Sequence, residues 1–267
     1  MDKPVSVKMA TPPGCGLNSR QQVILDHVRN NGEVQVDSLS DVMEVTPQTI
    51  RRDLNLMCDM RLLQRVHGGA VLHDGVSNMG YEARKRFMAE EKELIARAAA
   101  QLVPEDSSLF ANIGTTTEAV IRELSSHRGL LVVTNNANIV EILRPNMAAT
   151  IMLAGGKVRN EDGGIVGELT AEYMGQYKLD HAVIGVSSLE RDGTLLDFDT
   201  QEVSVAKAII QNSRSTILVA DSSKFERSAP IRIGNVSQVD YVVTDRSPPN
   251  EFIEHCQRSG VELIIAG

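Results

Sequence analysis

Thr46-Pro47-Gln48-Thr49-Ile50-Arg51-Arg52-Asp53-Leu54-Asn55-Leu56-Met57 reads as a helix with two chemically distinct faces. Thr followed by Pro is a strong helix start, because proline at the first helical position lacks only an amide hydrogen that would have no partner there. From that start Ile50, Leu54 and Met57 fall on one face and point to a core. Gln48, Thr49, Arg51, Arg52 and Asn55 fall elsewhere, since residues one and two apart do not share a helix face. Two adjacent arginines with Gln and Thr near a helix N-terminus supply base-edge donors and acceptors plus phosphate contacts, the equipment of a recognition helix in the major groove. The plainer alternative is that Arg51 pairs with Asp53 or Glu44 and the face is only solvated.

The segments on either side favour the DNA-reading interpretation. Upstream, Ser19 is a candidate N-cap for a helix carrying Val23, Ile24, His27 and Val28, with Gly32 as its stop. Val34 and Val36 suit a short strand, and Asp37 suits the cap of a second helix burying Leu39, Val42 and Met43. Downstream, 62–66 and 70–72 are strand-like around His67-Gly68-Gly69, which reads as a hairpin wing. Arg61, Arg65 and His67 would add phosphate or minor-groove contacts from the helix end and the wing. The candidate DNA-binding set is therefore Thr46, Gln48, Thr49, Arg51, Arg52, Asn55, Arg61, Arg65 and His67.

The chain has 267 residues, which favours two domains over one. Its net charge is −8, yet the first 75 residues carry eight Lys and Arg against nine Asp and Glu. A DNA footprint must then be local, because phosphate binding is an electrostatic effect of Lys and Arg. No apolar run approaches the roughly 18 residues of a membrane helix, and residues 1–18 lack the apolar segment of a signal peptide, so a cytoplasmic location is expected. Cys15, Cys58 and Cys256 are far apart with no His or Cys at ligand spacing, which points to reduced thiols, no metal and no cofactor.

Beyond a polar, glycine-containing linker at 73–80 lies a helical stretch, 81–103, ending at Pro104. From residue 107, β-branched or apolar runs at 109–113, 130–133, 150–153, 182–186, 217–220, 241–244 and 261–265 alternate with helical stretches. That alternation marks an α/β domain with a mostly parallel sheet. The expected organisation is a flexible extension at 1–18, a winged helix-turn-helix at 19–75, a linker and connecting helix at 76–106 and an effector domain at 107–267.

Ile113-Gly114-Thr115-Thr116-Thr117 joins a strand to a helix, so amides and hydroxyls can converge on an anion at a helix N-terminus; a Thr-rich turn can also simply cap the helix. Thr134-Asn135-Asn136 closes the next strand, and Gly155-Gly156-Lys157-Val158-Arg159 the one after. In a parallel sheet these three loops share one rim and suggest one site. Asp197, Asp199 and Glu202 precede a later helix expected to begin near Val203, where they suit caps and the helix dipole or acceptors for ligand hydroxyls. Lys224 would meet a phosphate or carboxylate, or pair with Asp221 in solvent.

Thr46-Pro47-Gln48-Thr49-Ile50-Arg51-Arg52-Asp53-Leu54, with Arg65 and His67-Gly68-Gly69-Ala70, resembles the DNA-binding motif of the DeoR family of bacterial repressors. The likeness runs from about Arg20 through nearly the whole chain. It implies a repressor whose effector domain is similar in fold to ribose-phosphate isomerases, which binds operator DNA as a homodimer or homotetramer and responds to a phosphorylated small molecule. Leu153-Ala154-Gly155-Gly156, Asp162-Gly163-Gly164-Ile165-Val166-Gly167, Leu196-Asp197-Phe198-Asp199, Ala208-Ile209-Ile210-Gln211-Asn212-Ser213-Arg214 and Asp221-Ser222-Ser223-Lys224-Phe225 resemble the members that answer to sn-glycerol 3-phosphate and control glycerol-utilisation genes. Ser188, Thr200 and Glu226 depart from that pattern. A different sugar phosphate as inducer is one alternative; a sugar-phosphate isomerase using Asp197, Asp199 and Glu202 as acid/base groups is another.

Overall fold

A computed structural model describes residues 17–59, 62–66, 68–72 and 80–267. The expectations placed on residues 1–16, on the linker at 73–79 and on Arg61 and His67 lie outside the described residues.

The chain opens with α1 (Ser19–Asn31), β1 (Glu33–Gln35), α2 (Val36–Val42), α3 (Pro47–Asp59), β2 (Leu63–Val66) and β3 (Gly69–Leu72). Asn18, not Ser19, caps α1: its side chain accepts from the Gln21 amide while the Gln21 side chain accepts from the Asn18 amide. Gly32 ends α1 at φ 83. Val36 opens α2 rather than ending a strand, Asp37 lies in its first turn without capping it, and Val42 is exposed; Val36, Leu39 and Ser40 are the residues α2 buries. Ile24, Val28, Leu39, Ile50, Leu54, Met57, Leu63 and Ala70 form one core, with Leu17 packed against it. β2 and β3 make the antiparallel hairpin, and β1 adds to β3 as a third strand.

Gly69 is where these strands come too close for a side chain. A Cβ there would lie 1.9 Å from the Val34 carbonyl oxygen across the β1–β3 pair. Gly69→Ala must therefore push β1 from β3, an overpacking strain of about 1–3 kcal/mol. The expected result in denaturant unfolding is a lower midpoint, together with weaker DNA binding.

α4 (Tyr81–Arg86) and α5 (Ala89–Ala100) replace the single helix expected over 81–103. Met88 between them has φ 54, in the left-handed region that non-glycine residues rarely occupy. The Lys92 ammonium donates to the carbonyls of Arg84 and Phe87, which the break leaves without helical partners.

The rest is β4 (Ser108–Ala111), α6 (Thr115–Glu123), β5 (Leu131–Thr134), α7 (Ala137–Leu143), β6 (Thr150–Leu153), β7 (Lys157–Val158), β8 (Ile165–Val166), α8 (Glu168–Gly175), β9 (Leu179–Ile184), β10 (Ser188–Leu189), β11 (Thr194–Asp197), α9 (Thr200–Gln211), β12 (Ser213–Val219), β13 (Ile231–Asn235), β14 (Tyr241–Thr244), α10 (Asn250–Ser259) and β15 (Glu262–Ile265). Seven of these strands form a parallel sheet in the order β15-β14-β12-β9-β4-β5-β6. Alternate residues of a strand face opposite ways. Phe110, Val133, Ala182, Ile184 and Leu218 thus pack with α8, α9 and α10, while Leu109, Ala111, Val132, Val183 and Ile217 pack with α5, α6 and α7. Burial on both faces is why the inner strands read as continuous apolar runs, whereas the edge strands β6 and β15 are partly exposed. The chain starts at β4, winds outward to β6, then returns to β9 on the other side of β4. The β4/β9 boundary is therefore the topological switch point, where the loops part and open sheets of this type bind ligands.

Candidate functional site

α3 presents Gln48, Arg51, Arg52 and Asn55 to solvent, with Thr49 partly covered. Asp53 does not neutralise the arginines beside it. It is buried and bound from the other side, by Arg20 Nε at 2.6 Å and Gln21 Nε2 at 2.9 Å. Burial pushes its carboxyl up, but these hydrogen bonds and the Arg20 charge hold it below the ordinary value. Among the described residues Arg51 and Arg52 make no ion pair. Thr46 accepts a hydrogen bond from the Thr49 amide at 3.3 Å and so caps the helix. Arg65 is exposed on the wing strand β2.

The second site is a cleft at the switch point, with an empty volume of about 590 Å³, open solvent at its mouth included. Three strands supply its floor: 113–117 after β4, 185–187 after β9, and Val219 and Asp221 at the end of β12. Gly114 is the N-cap of α6 and offers no side-chain cap, so the first-turn amides are open to an anion. Thr117 is fully buried, and its hydroxyl has no hydrogen-bond partner. A buried hydroxyl without a partner is costly, and a ligand oxygen would supply the missing one.

Four cations, Arg84, Lys92, Lys224 and Arg227, and three acids, Asp197, Glu202 and Asp221, also line the cleft. Lys224 makes no ion pair with Asp221, whose Oδ1 is held by the Ser223 amide and hydroxyl. Burial lowers the Lys224 pKa, and it lowers that of Lys92 to about 7 against the pull of Asp221. Burial raises Asp197, and burial with the Asp197 charge raises Glu202 to about 7 although Arg159 opposes the rise. The cleft thus combines basic groups and an open helix N-terminus with carboxyl groups that can donate or accept. That arrangement suits a phosphate attached to a hydroxylated carbon chain.

A family profile described as the DeoR C terminal sensor domain matches residues 88–246, and one described as the DeoR-like helix-turn-helix domain matches residues 20–76. The chain belongs to the DeoR family. It is 45% identical over 246 residues to the glycerol-3-phosphate regulon repressor of Escherichia coli (strain K12), covering 92% of this chain and 98% of that protein. It is 42% identical to the protein of the same name from Haemophilus influenzae, covering 92% and 96%. Among solved structures, ribose 5 phosphate isomerase A from Neisseria gonorrhoeae matches 50% of this chain and 52% of its own at 18% identity, with a TM-score of 0.36.

In this DeoR-family chain the residues expected at the effector site divide. Gly114, Thr115, Thr116, Thr117, Asp197, Glu202 and Lys224 meet in the cleft. Thr134, Asn135 and Asn136 are buried and support the loops: Thr134 Oγ1 donates to the Ala111 carbonyl, Asn135 Nδ2 to the Ile165 carbonyl, and Asn136 Nδ2 to Glu118 Oε1. Gly156 is a packing glycine, since a Cβ there would lie 2.4 Å from Thr170 Oγ1, and Gly155 and Gly156 do not line the cleft. Arg159 lies behind it, bound to Asp162, Asp199 and Glu202, and Asp199 caps α9. The loops that converge therefore follow β4, β9 and β12, not the consecutive β4, β5 and β6.

Sequence reasoning missed Arg84, Lys92, Ser187, Asp221 and Arg227 in the cleft. Ser187 and Asp221 follow apolar runs and were within reach had the switch point been located; Arg84 and Lys92 look like any charges on a solvated helix. Ser188, Thr200 and Glu226 do not line the cleft. Ser188 is buried and its hydroxyl donates to the Arg227 carbonyl, while Thr200 and Glu226 are exposed.

Proposed function

We propose that this protein is a transcriptional repressor that binds operator DNA through α3 and the β2–β3 wing and is released by a phosphorylated inducer, sn-glycerol 3-phosphate, so controlling genes of glycerol metabolism. The observation that carries the effector half is the cleft at the switch point, which an unpartnered buried Thr117 hydroxyl, the open N-terminus of α6 and Lys224 all line. The relatives named glycerol-3-phosphate regulon repressor, alike over almost their full length, support the choice of inducer. In this reading the DNA-binding unit spans 19–75, a connecting segment 76–106 and the sensor 107–267; the protein works in the cytoplasm as a homodimer or homotetramer, and it senses without turning its ligand over. Among the described residues no helix is long and apolar enough to cross a membrane.

The test is titration of protein–operator complexes with sn-glycerol 3-phosphate, fructose phosphates and deoxyribose 5-phosphate. Release by the first at the lowest concentration is expected. Release by another sugar phosphate alone would change the inducer and leave the repressor. Glu202, held near neutrality, has the pKa a general acid/base group needs, so the same preparations should be assayed for consumption of each ligand. Turnover of any of them would establish the enzyme reading instead.

A further inference from the structure

We propose that Arg84 is itself a ligand-contacting residue, which exchanges Asp162 for the phosphoryl group of the effector, so that occupancy of the cleft is reported by the position of α4. The inference rests on the reading of the cleft as a phosphate site and adds a residue and a route to it.

Three features single out Arg84. It holds Asp162 by one contact, Nη2 to Oδ2 at 3.0 Å, whereas Arg159 grips the same carboxylate with two, at 2.8 and 2.7 Å, and the Gly164 amide adds a third bond to Oδ1 at 3.2 Å. Breaking a buried ion pair is costly when a charge is left alone. Here the departure of Arg84 leaves Asp162 paired. Second, Arg84 Nε is buried and has no hydrogen-bond partner, so the guanidinium brings an unused donor to the wall of the cleft. A guanidinium that offers two parallel N–H groups to a phosphate gains more than one holding a carboxylate by a single bond. Third, the Arg84 carbonyl accepts hydrogen bonds from Lys92 Nζ and from Thr115 Oγ1 at 3.4 Å. Both donors line the cleft, and an anion seated on the α6 N-terminus competes for both.

The consequence reaches α4 because the hydrogen bonds that hold α4 to the sensor run through two of its residues, Tyr81 and Arg84. Arg84 gives it the ion pair to Asp162, and Tyr81 donates to Glu118 Oε2 at 2.8 Å and accepts from Asn138 Nδ2 at 3.0 Å. At its far end Met88 already sits in a left-handed conformation, and α4 lies alongside both α1 and α6. A ligand shifts an equilibrium only by its differential affinity for two states. The Arg84 exchange is such a difference: one arrangement has Arg84 on Asp162 and the other has it on the ligand.

The test uses the full-length protein with sn-glycerol 3-phosphate as probe, calorimetry for affinity and hydrogen exchange of the 81–92 amides for α4. Arg84→Gln is expected to weaken binding about tenfold or more, the size of a lost charge-assisted hydrogen bond. Asp162→Asn, which loosens the competing partner, is expected to tighten binding in the wild-type background and to change nothing in the Arg84→Gln background; a merely structural role for Arg84 would not produce that pattern. Ligand should alter exchange at 81–92 in the wild type, and leave it unaltered in Arg84→Gln even at saturation. If Asp162→Asn does not fold, the exchange measurement on Arg84→Gln decides alone. Wild-type affinity in Arg84→Gln, with Lys224→Met unable to bind, would overturn the role of Arg84 and leave the cleft standing. Failure of the wild type to bind either sn-glycerol 3-phosphate or inorganic phosphate would overturn the reading of the cleft, and the exchange with it.

Discussion

Lys224→Met is expected to weaken sn-glycerol 3-phosphate binding by about 100-fold while leaving operator affinity in the absence of ligand unchanged. Methionine keeps most of the apolar stem and removes only the charge, so packing against the cleft wall is preserved. The lost contact is between a half-buried ammonium and a phosphate dianion. Removing one partner of such a partly buried charged pair costs about 2–5 kcal/mol, and each 1.4 kcal/mol is a factor of about ten in affinity. Burial lowers the Lys224 pKa against the pull of Asp221 and Asp197, so the ammonium is poorly solvated in the free protein and a bound anion would favour its charged form. Lys224→Met also removes the cation that offsets the buried Asp221 and Asp197 carboxylates, so some loss of thermal stability is expected beside the loss of affinity. Calorimetric titration reads the affinity, and a loss of less than threefold would remove Lys224 from the site.

The parts of this protein that were legible in its sequence are those decided by short-range rules. The α3 faces followed from a 3.6-residue period and one proline, and Ile50, Leu54 and Met57 are fully buried as that period requires. The inner strands of the parallel sheet stood out because both of their faces are covered. What period and composition do not carry is which strand lies beside which. Three successive strands ending in polar loops suggested one shared rim, but the chain reverses after β6, and the loops that meet belong to β4, β9 and β12. Asn135 and Asn136 were polar in the right place for a ligand, yet they pair with Ile165 and Glu118, residues 30 and 18 positions away.

The break between α4 and α5 was hidden for a related reason. No glycine or proline interrupts residues 81–103, and helix propensity alone favours one rod. The interruption is stabilised by side-chain contacts that helix propensity does not include: Lys92 folds back on the nearby carbonyls of Arg84 and Phe87, and over long range Arg84 reaches Asp162 and Tyr81 reaches Glu118. The Arg227 guanidinium lies over the Phe87 ring at 5.0 Å, so the residue at the turn is also held from the far side of the cleft. Four of these residues, Arg84, Phe87, Lys92 and Arg227, also line the candidate ligand site. A segment whose shape depends on groups that a ligand would recruit is suited to respond to that ligand.

The double substitution Arg51→Ala/Arg52→Ala is expected to reduce operator affinity by at least about 100-fold and to leave effector affinity and thermal stability unchanged. Stability should hold because both side chains are exposed and neither is in an ion pair among the described residues; surface changes of that kind stay within about 0.5 kcal/mol. The neighbouring Asp53 is committed to Arg20 and Gln21, so removing the arginines strands no buried charge. The loss in binding follows from arithmetic: a bidentate arginine–guanine contact is worth about 1–3 kcal/mol, and two such contacts about 2–6. The single variants separate the two roles an arginine can have. An arginine on a phosphate should, when removed, weaken all sequences alike and lower the slope of log affinity against log salt by about 0.9; one on a base edge should flatten discrimination at one operator position with a smaller change in slope. Because the first 75 residues carry no net positive charge, non-specific attraction cannot compensate for the loss. Gel-shift or anisotropy titrations at several salt concentrations give both numbers. Operator affinity within threefold of wild type in the double variant would show that α3 does not read the DNA.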